Sequence, residues 1–176
     1  DTFFQKRYFN NKSIDIQFED EDSMNINAFK RKYNLINEKR PIWGVFTHIT
    51  WDGVFGFNPM IFSSIDEWLN VTIENIKNFD KVVWLIKIHP AENHINSKYN
   101  LGNILEKINL PEHVRIIPAD EKFNPYYFQK MVDGGVTCYG TTGLELTLMG
   151  KPVILAGTAH YSGKGFTYDS VNKNDY

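Results

Sequence analysis

The chain has 176 residues and 20.5 kDa, with 42% hydrophobic, 15% aromatic and 23% charged residues and a formal charge of −2 from 19 Lys and Arg against 21 Asp and Glu. This composition excludes a disordered or collagen-like chain, and the charge balance excludes a net basic field that would hold nucleic acid or an acidic membrane by charge alone. The single cysteine, Cys138, rules out an internal disulfide and a cysteine-built zinc cluster, and no apolar run reaches the ~20 residues of a membrane span.

Residues 1–40 are dense in charge, as in Glu19-Asp20-Glu21-Asp22 and Lys30-Arg31-Lys32, and hold neither Gly nor Pro. They read as a linker or peripheral segment from an upstream domain, with a helix over 28–37. The first residue is Asp1 and not Met, so the chain is expected to be one piece of a larger machine.

A regular pattern starts at Pro41 and sets residues 41–176 apart as a Rossmann-like domain. The β-forming run Ile42 to Thr47 predicts a strand. Ser63 or Ser64 can cap a helix whose Ile65, Trp68, Leu69, Ile73 and Ile76 recur at helical spacing. Val82 to Ile86 is a nearly unbroken apolar run, the mark of a parallel strand buried on both faces. A helix is predicted over 98–108, a strand over 114–117 and a helix over 125–132. Strands at 135–138 and 152–156 flank a further helix at 142–149, stopped by Gly150. Such alternation, without hairpin signals, predicts a doubly wound, mostly parallel α/β sheet with right-handed crossovers. In that architecture ligands sit beyond the carboxyl ends of the strands.

The loops at that edge hold the candidate chemistry. Tyr139-Gly140-Thr141-Thr142-Gly143-Leu144-Glu145 passes from a strand directly into a helix. Gly140 and Gly143 permit tight turning, and Thr141 or Thr142 can cap the helix beside its free N–H groups, an arrangement that suits a phosphate. Neither G-x-G-x-x-G nor a P-loop is present. Glu145 reads either as a carboxylate favoured by the helix dipole or as an acceptor for ribose hydroxyls. In Lys87-Ile88-His89-Pro90-Ala91-Glu92, Pro90 ends strand pairing and fixes His89 at the ligand edge. His89 is then a structural hydrogen bonder or an imidazolium that holds charge on a leaving nucleotide. Thr47-His48-Ile49-Thr50-Trp51-Asp52-Gly53 either frames a sugar or packs as a lid; His48, His89 and Asp52 lack the spacing of a metal site. Residues 157–166 form a glycine-rich loop expected to be mobile, in which Lys164 is solvated or meets an anion.

Four segments in this order resemble the C-terminal half of bacterial GT-B glycosyltransferases of the capsule polysaccharide biosynthesis type: Trp51-Asp52, Lys87 to Glu92, Gly140 to Glu145, and Gly150-Lys151-Pro152-Val153-Ile154. The His-Pro pair is also similar to that of polysialyltransferases, Kdo transferases and teichoic acid polymerases. The resemblance covers residues 41–170 and implies the donor-binding half of an enzyme that moves a sugar from a nucleotide-activated donor onto a surface polysaccharide. It implies His89 and Asp52 in catalysis, and Lys87, Glu92, Gly140, Thr141, Thr142, Glu145 and Lys164 around the donor, cytidine-activated by the His-Pro likeness. A glycan acceptor and a separate N-terminal half are the implied partners, no metal cofactor is expected, and the location is cytoplasmic, at the inner face of the membrane. His48 departs from the Asn that relatives often carry there. A nucleotide-sugar 2-epimerase and a non-catalytic polysaccharide- or protein-binding domain are the alternatives.

Overall fold

The computed structural model describes residues 26–49, 60–94 and 101–176. In chain order the elements are α1 (Ile26–Lys32), β1 (Ile42–Phe46), α2 (Ile65–Lys77), β2 (Val83–Lys87), a 3₁₀ turn at Pro90–His94, α3 (Leu101–Leu105), β3 (Val114–Ile117), α4 (Pro125–Met131), β4 (Gly134–Thr137), α5 (Thr141–Leu148), β5 (Val153–Leu155) and β6 (Tyr168–Asp169). Contacts divide the chain into two units, Asp1–Lys39 with Glu121–Met131, and Arg40–Asp120 with Val132–Tyr176.

The described part of the first unit is built on aromatic side chains. Phe29 of α1 is fully buried; its ring stacks on Phe123 at 4.2 Å and meets Phe128 edge-on at 5.9 Å. The buried Glu121 carboxylate accepts from Lys32 Nζ at 2.6 Å and from the Tyr33 hydroxyl. The helix expected over 28–37 ends at Lys32, and the reason is local. Asn34 takes φ 52°, its N–H bonds Arg31 O, and the Leu35 N–H reaches back to Lys30 O. This is the Schellman closure, in which a residue in the left-handed region ends the helix and the following apolar residue, here the buried Leu35, packs inward.

The second unit holds a Rossmann-like six-stranded sheet, parallel at every pairing, in the order β3-β2-β1-β4-β5-β6. Successive residues of a strand face opposite sides, and the two glycines of β4 show what lies on each. A Cβ on Gly134 would stand 2.6 Å from the Trp43 ring, and one on Gly135 would stand 2.5 Å from Leu146 of α5. Trp43 shares its face with Val45 and Val136, which pack with Trp84 and Ile86 against Ile65, Trp68, Leu69, Ile73 and Ile76 of α2. Helices α2 and α5 therefore cover opposite faces, as a doubly wound sheet requires. Ser64 caps α2, its Oγ accepting from the Glu67 N–H at 3.0 Å.

The five strands expected from the sequence are present within about a residue at each end. A sixth, β6, pairs with β5 through Ile154 opposite Tyr168 and Leu155 opposite Asp169. The stretch before it, expected to be mobile, is internally bonded. The Asp169 carboxylate accepts from the Gly163 N–H and the Thr167 hydroxyl, and Ser162 Oγ accepts from the Ala159 N–H at 2.8 Å. Of the helix expected over 98–108, residues 98–100 lie outside the described residues; α3 ends at Leu105 and the chain continues to Ile108 through the turn bonds Lys107 N to Ile104 O and Ile108 N to Leu105 O. No described helix is long and apolar enough to cross a membrane.

Candidate functional site

The strand order makes β1 and β4 neighbours, with the chain moving outward in opposite directions from them. Between such strands the connections diverge and leave a crevice at the carboxyl edge, the usual ligand position in open α/β sheets. The residues that follow β1 and β4 are Thr47-His48 and Cys138-Tyr139-Gly140.

Thr47 stitches β1 to the end of β2. Its hydroxyl donates to Lys87 O at 3.2 Å and accepts the His89 N–H at 3.0 Å. The His89 ring is set in turn, because Nδ1 accepts the Ala91 N–H at 3.2 Å. In that bond Nδ1 is the acceptor, which leaves Nε2–H as the ring's donor. The imidazolium expected from the sequence would have to give this bond up.

His48, buried beside the crevice, bonds Thr137 Oγ1 through Nε2 at 2.9 Å. Its ring lies 4.5 Å from that of Tyr139, and its Cε1 would be 3.2 Å from a Cβ on Gly140. Gly140 is thus the residue that lets the turn into α5 pass over the imidazole. Burial, with a further push from His89, lowers the His48 pKa to about 4, so the ring is neutral at pH 7.

Gly140 is the N-cap of α5 and has no side chain to serve the helix; Thr141 and Thr142, expected as caps, are its first two helical residues. Among the described residues no hydrogen bond is found to the N–H or the hydroxyl of either threonine. The later part of this turn is closed by Tyr161, whose hydroxyl donates to Gly140 O at 2.5 Å and accepts the Leu144 N–H. Burial raises the Tyr161 pKa, with the charges of Asp169 and Glu145 adding to it. This clamp requires Gly143: a Cβ there would lie 2.2 Å from Tyr161 Oη. Gly143→Ala is expected to cost about 1–3 kcal/mol by overpacking. Chemical denaturation of this variant, and of a double variant that also carries Tyr161→Phe, checks the clamp. A single variant as stable as the parent, or no coupling in the cycle, would remove it.

The other candidates sit as follows. Lys87 Nζ donates to Pro118 O at 2.9 Å, beyond the end of β3. Glu92 is buried and caps α3, with Oε2 accepting the Leu101 N–H at 3.1 Å and Oε1 unpartnered. Glu145 is buried on the second turn of α5, and Lys164 is exposed in the loop before β6. Asp52 and its neighbour Trp51 lie outside the described residues. Burial pushes the Cys138 thiol well above its ordinary pKa, so it stays protonated. Among the described residues no group of three or more His, Cys, Asp or Glu could hold a metal ion. The structure thus brings Gly140 against His48, and His89 within reach of it by charge, with Thr141 and Thr142 following Gly140 into α5. Sequence reasoning missed Thr137 and Tyr161 because no local pattern marks them; only the fold brings them to this turn.

A family model described as capsule polysaccharide biosynthesis protein matches residues 55–175. No curated protein matches the sequence. Among similar solved structures is Thermosulfurimonas dismutans KpsC, beta Kdo 2,4 transferase, with TM-score 0.55 and 21% identity over 76% of this chain and 39% of that one. Another is Thermosulfurimonas dismutans KpsC, beta Kdo 2,7 transferase, with TM-score 0.51 and 18% identity over 77% of this chain and 39% of that one. At such identities the likeness is one of fold, and this chain spans well under half of either relative.

Proposed function

This chain belongs to the capsule polysaccharide biosynthesis protein family, and from that premise we propose that it is the donor-binding part of a GT-B-type glycosyltransferase acting in capsule synthesis. The observation that carries the reading is the convergence at the β1/β4 crevice. Two imidazoles, the neutral His48 and His89, flank a strand-to-helix turn whose first amides, at Thr141 and Thr142, have no partner among the described residues. Backbone N–H groups at a helix start, joined by two hydroxyls, suit the phosphate of a nucleotide-activated sugar. His89 would donate to the phosphate that leaves, and Glu145, Glu92, Lys87 and Lys164 remain candidates for the rest of the donor. The acceptor is a growing glycan, positioned by a second domain across the cleft. The two similar solved structures are Kdo transferases, which favours a donor of that class, and the likeness of the His89-Pro90 pair favours its activation by cytidine.

The test is calorimetric titration of this chain with CMP, CDP, UDP and GDP, with and without a chelator. Saturable binding of at least one nucleotide is expected, weak because only one wall of the cleft is present, with the strength of high-micromolar binding (roughly 4–6 kcal/mol). Affinity should be the same after chelation, since amides, hydroxyls and imidazoles meet the phosphate. A large loss on chelation would overturn metal-free charge neutralisation. Silence with all four nucleotides would overturn the donor-site reading in favour of a non-catalytic domain, and change of a free nucleotide sugar without acceptor would favour an epimerase.

A further inference from the structure

His48 has one ring nitrogen that its surroundings do not use. Nε2 is engaged by Thr137 Oγ1, whereas Nδ1 has no hydrogen-bond partner among the described residues, and it is not one of the atoms sealed from solvent. The residue itself is only 6% exposed, so this nitrogen is the polar remnant of a buried ring at the crevice.

Thr137 decides which nitrogen carries the proton. Its side chain is buried at 1% exposure, and His48 Nε2 is its one bonding partner among the described residues. Were the hydroxyl to accept from an Nε2–H, its own hydrogen would be buried without an acceptor, which costs about 1–3 kcal/mol. Donating to Nε2 leaves only a spare lone pair. The proton therefore sits on Nδ1, and the unused nitrogen is a donor in want of an acceptor. Beside it the chain turns through Gly140 into the first amides of α5. Gly140 meets the ring at its Cε1 edge, next to Nδ1, so the free donor and the unpartnered amides belong to adjoining stretches, and each suits an oxygen acceptor.

We propose that His48 is a ligand-binding residue, donating from Nδ1–H to a phosphoryl oxygen held at the start of α5. The proposal rests on the donor-site reading above. It makes His48 an uncharged donor, whose contribution comes from direction and burial and needs no proton uptake as pH falls through 7.

The two ring nitrogens can be separated by substitution. The amide end of a glutamine reaches where Nε2 stands, and that of an asparagine where Nδ1 stands. His48→Gln should keep the Thr137 bond and much of the stability while weakening CMP and inorganic phosphate by about 10- to 100-fold, the loss of one hydrogen bond to a charged group. His48→Asn should retain more of the affinity and lose more of the stability. Long-range ¹H–¹⁵N spectra of the wild-type chain should show the Nδ1–H form of His48 at pH 7, with that resonance moving when CMP is added. An Nε2–H form, or wild-type affinity in His48→Gln, would overturn the assignment and leave the donor site standing. A wild-type chain that binds neither a nucleotide nor phosphate would overturn the donor site itself. Should the glutamine variant fail to fold, the wild-type spectra still decide the protonated nitrogen and its response to ligand.

Discussion

His89→Ala in the full-length protein is expected to lower turnover about 10²–10³-fold, the usual cost of removing one donor aimed at developing charge. Its effect on folding should be small by comparison. The side chain's bond from the Ala91 N–H is worth about 1 kcal/mol, and the backbone at this position is held independently by Thr47 Oγ1. Activity and thermal midpoint, measured on the same preparation, separate the roles. Near-normal turnover would end the assignment of His89 to the leaving phosphate, and a collapse of the fold with proportionate loss of activity would make His89 structural. His89→Asn refines the result, since its amide oxygen can still accept from Ala91 N–H while the ring donor is gone. It should be as stable as the parent and nearly as inactive as the alanine variant.

The second large effect is on acid stability. His48 is neutral in the folded chain down to about pH 4, whereas in the unfolded chain it takes up a proton near 6.5. Between those values the unfolded state binds the extra proton, so stability falls as pH falls, by about 1.4 kcal/mol per unit. The contribution is fully present above pH 6.5 and about 3 kcal/mol is gone by pH 4. Carboxylates also begin to titrate at the lower limit, so the informative quantity is the difference between wild type and His48→Gln, which cannot take up this proton. Urea denaturation at half-unit steps from pH 7.5 to 4 should show the stability of wild type relative to His48→Gln falling by about 3 kcal/mol as pH falls. Parallel profiles would show that His48 titrates normally and is not sequestered at the crevice.

The core of this fold is written in short stretches of sequence, and its site is not. Val83 to Ile86 must be a buried parallel strand because no face of it is polar, and Ser64 with Glu67 announces the start of α2 in four residues. Strand β6 escapes such reading: Tyr168–Asp169 is two residues long, one of them an acid whose carboxylate serves the loop before it. Asn34 ends α1 by adopting a left-handed backbone, which a sequence pattern rich in helix formers around it conceals. At the crevice, His89 and Gly140 are marked by a neighbouring proline and by a strand-to-helix spacing. His48 and Tyr161 are not marked by anything nearby. Their partners Thr137, Gly140 and Leu144 lie 17 to 92 residues away along the chain, and only the β1–β4 pairing and the return of the chain after β5 bring them together.

The position of β1 between β2 and β4 also sets a schedule for the chain as it is made. Strand β2 follows within forty residues, but β4 begins at Gly134, nearly ninety residues after Phe46. At ribosomal rates of about 5–20 residues per second, β1 waits roughly 4 to 18 s with one edge of its backbone unpaired. During that interval the nascent chain presents the apolar edge of Ile42–Phe46 to any other strand nearby. The arrangement that opens a crevice for a ligand therefore also fixes the interval in which newborn chains are most exposed to pairing with one another.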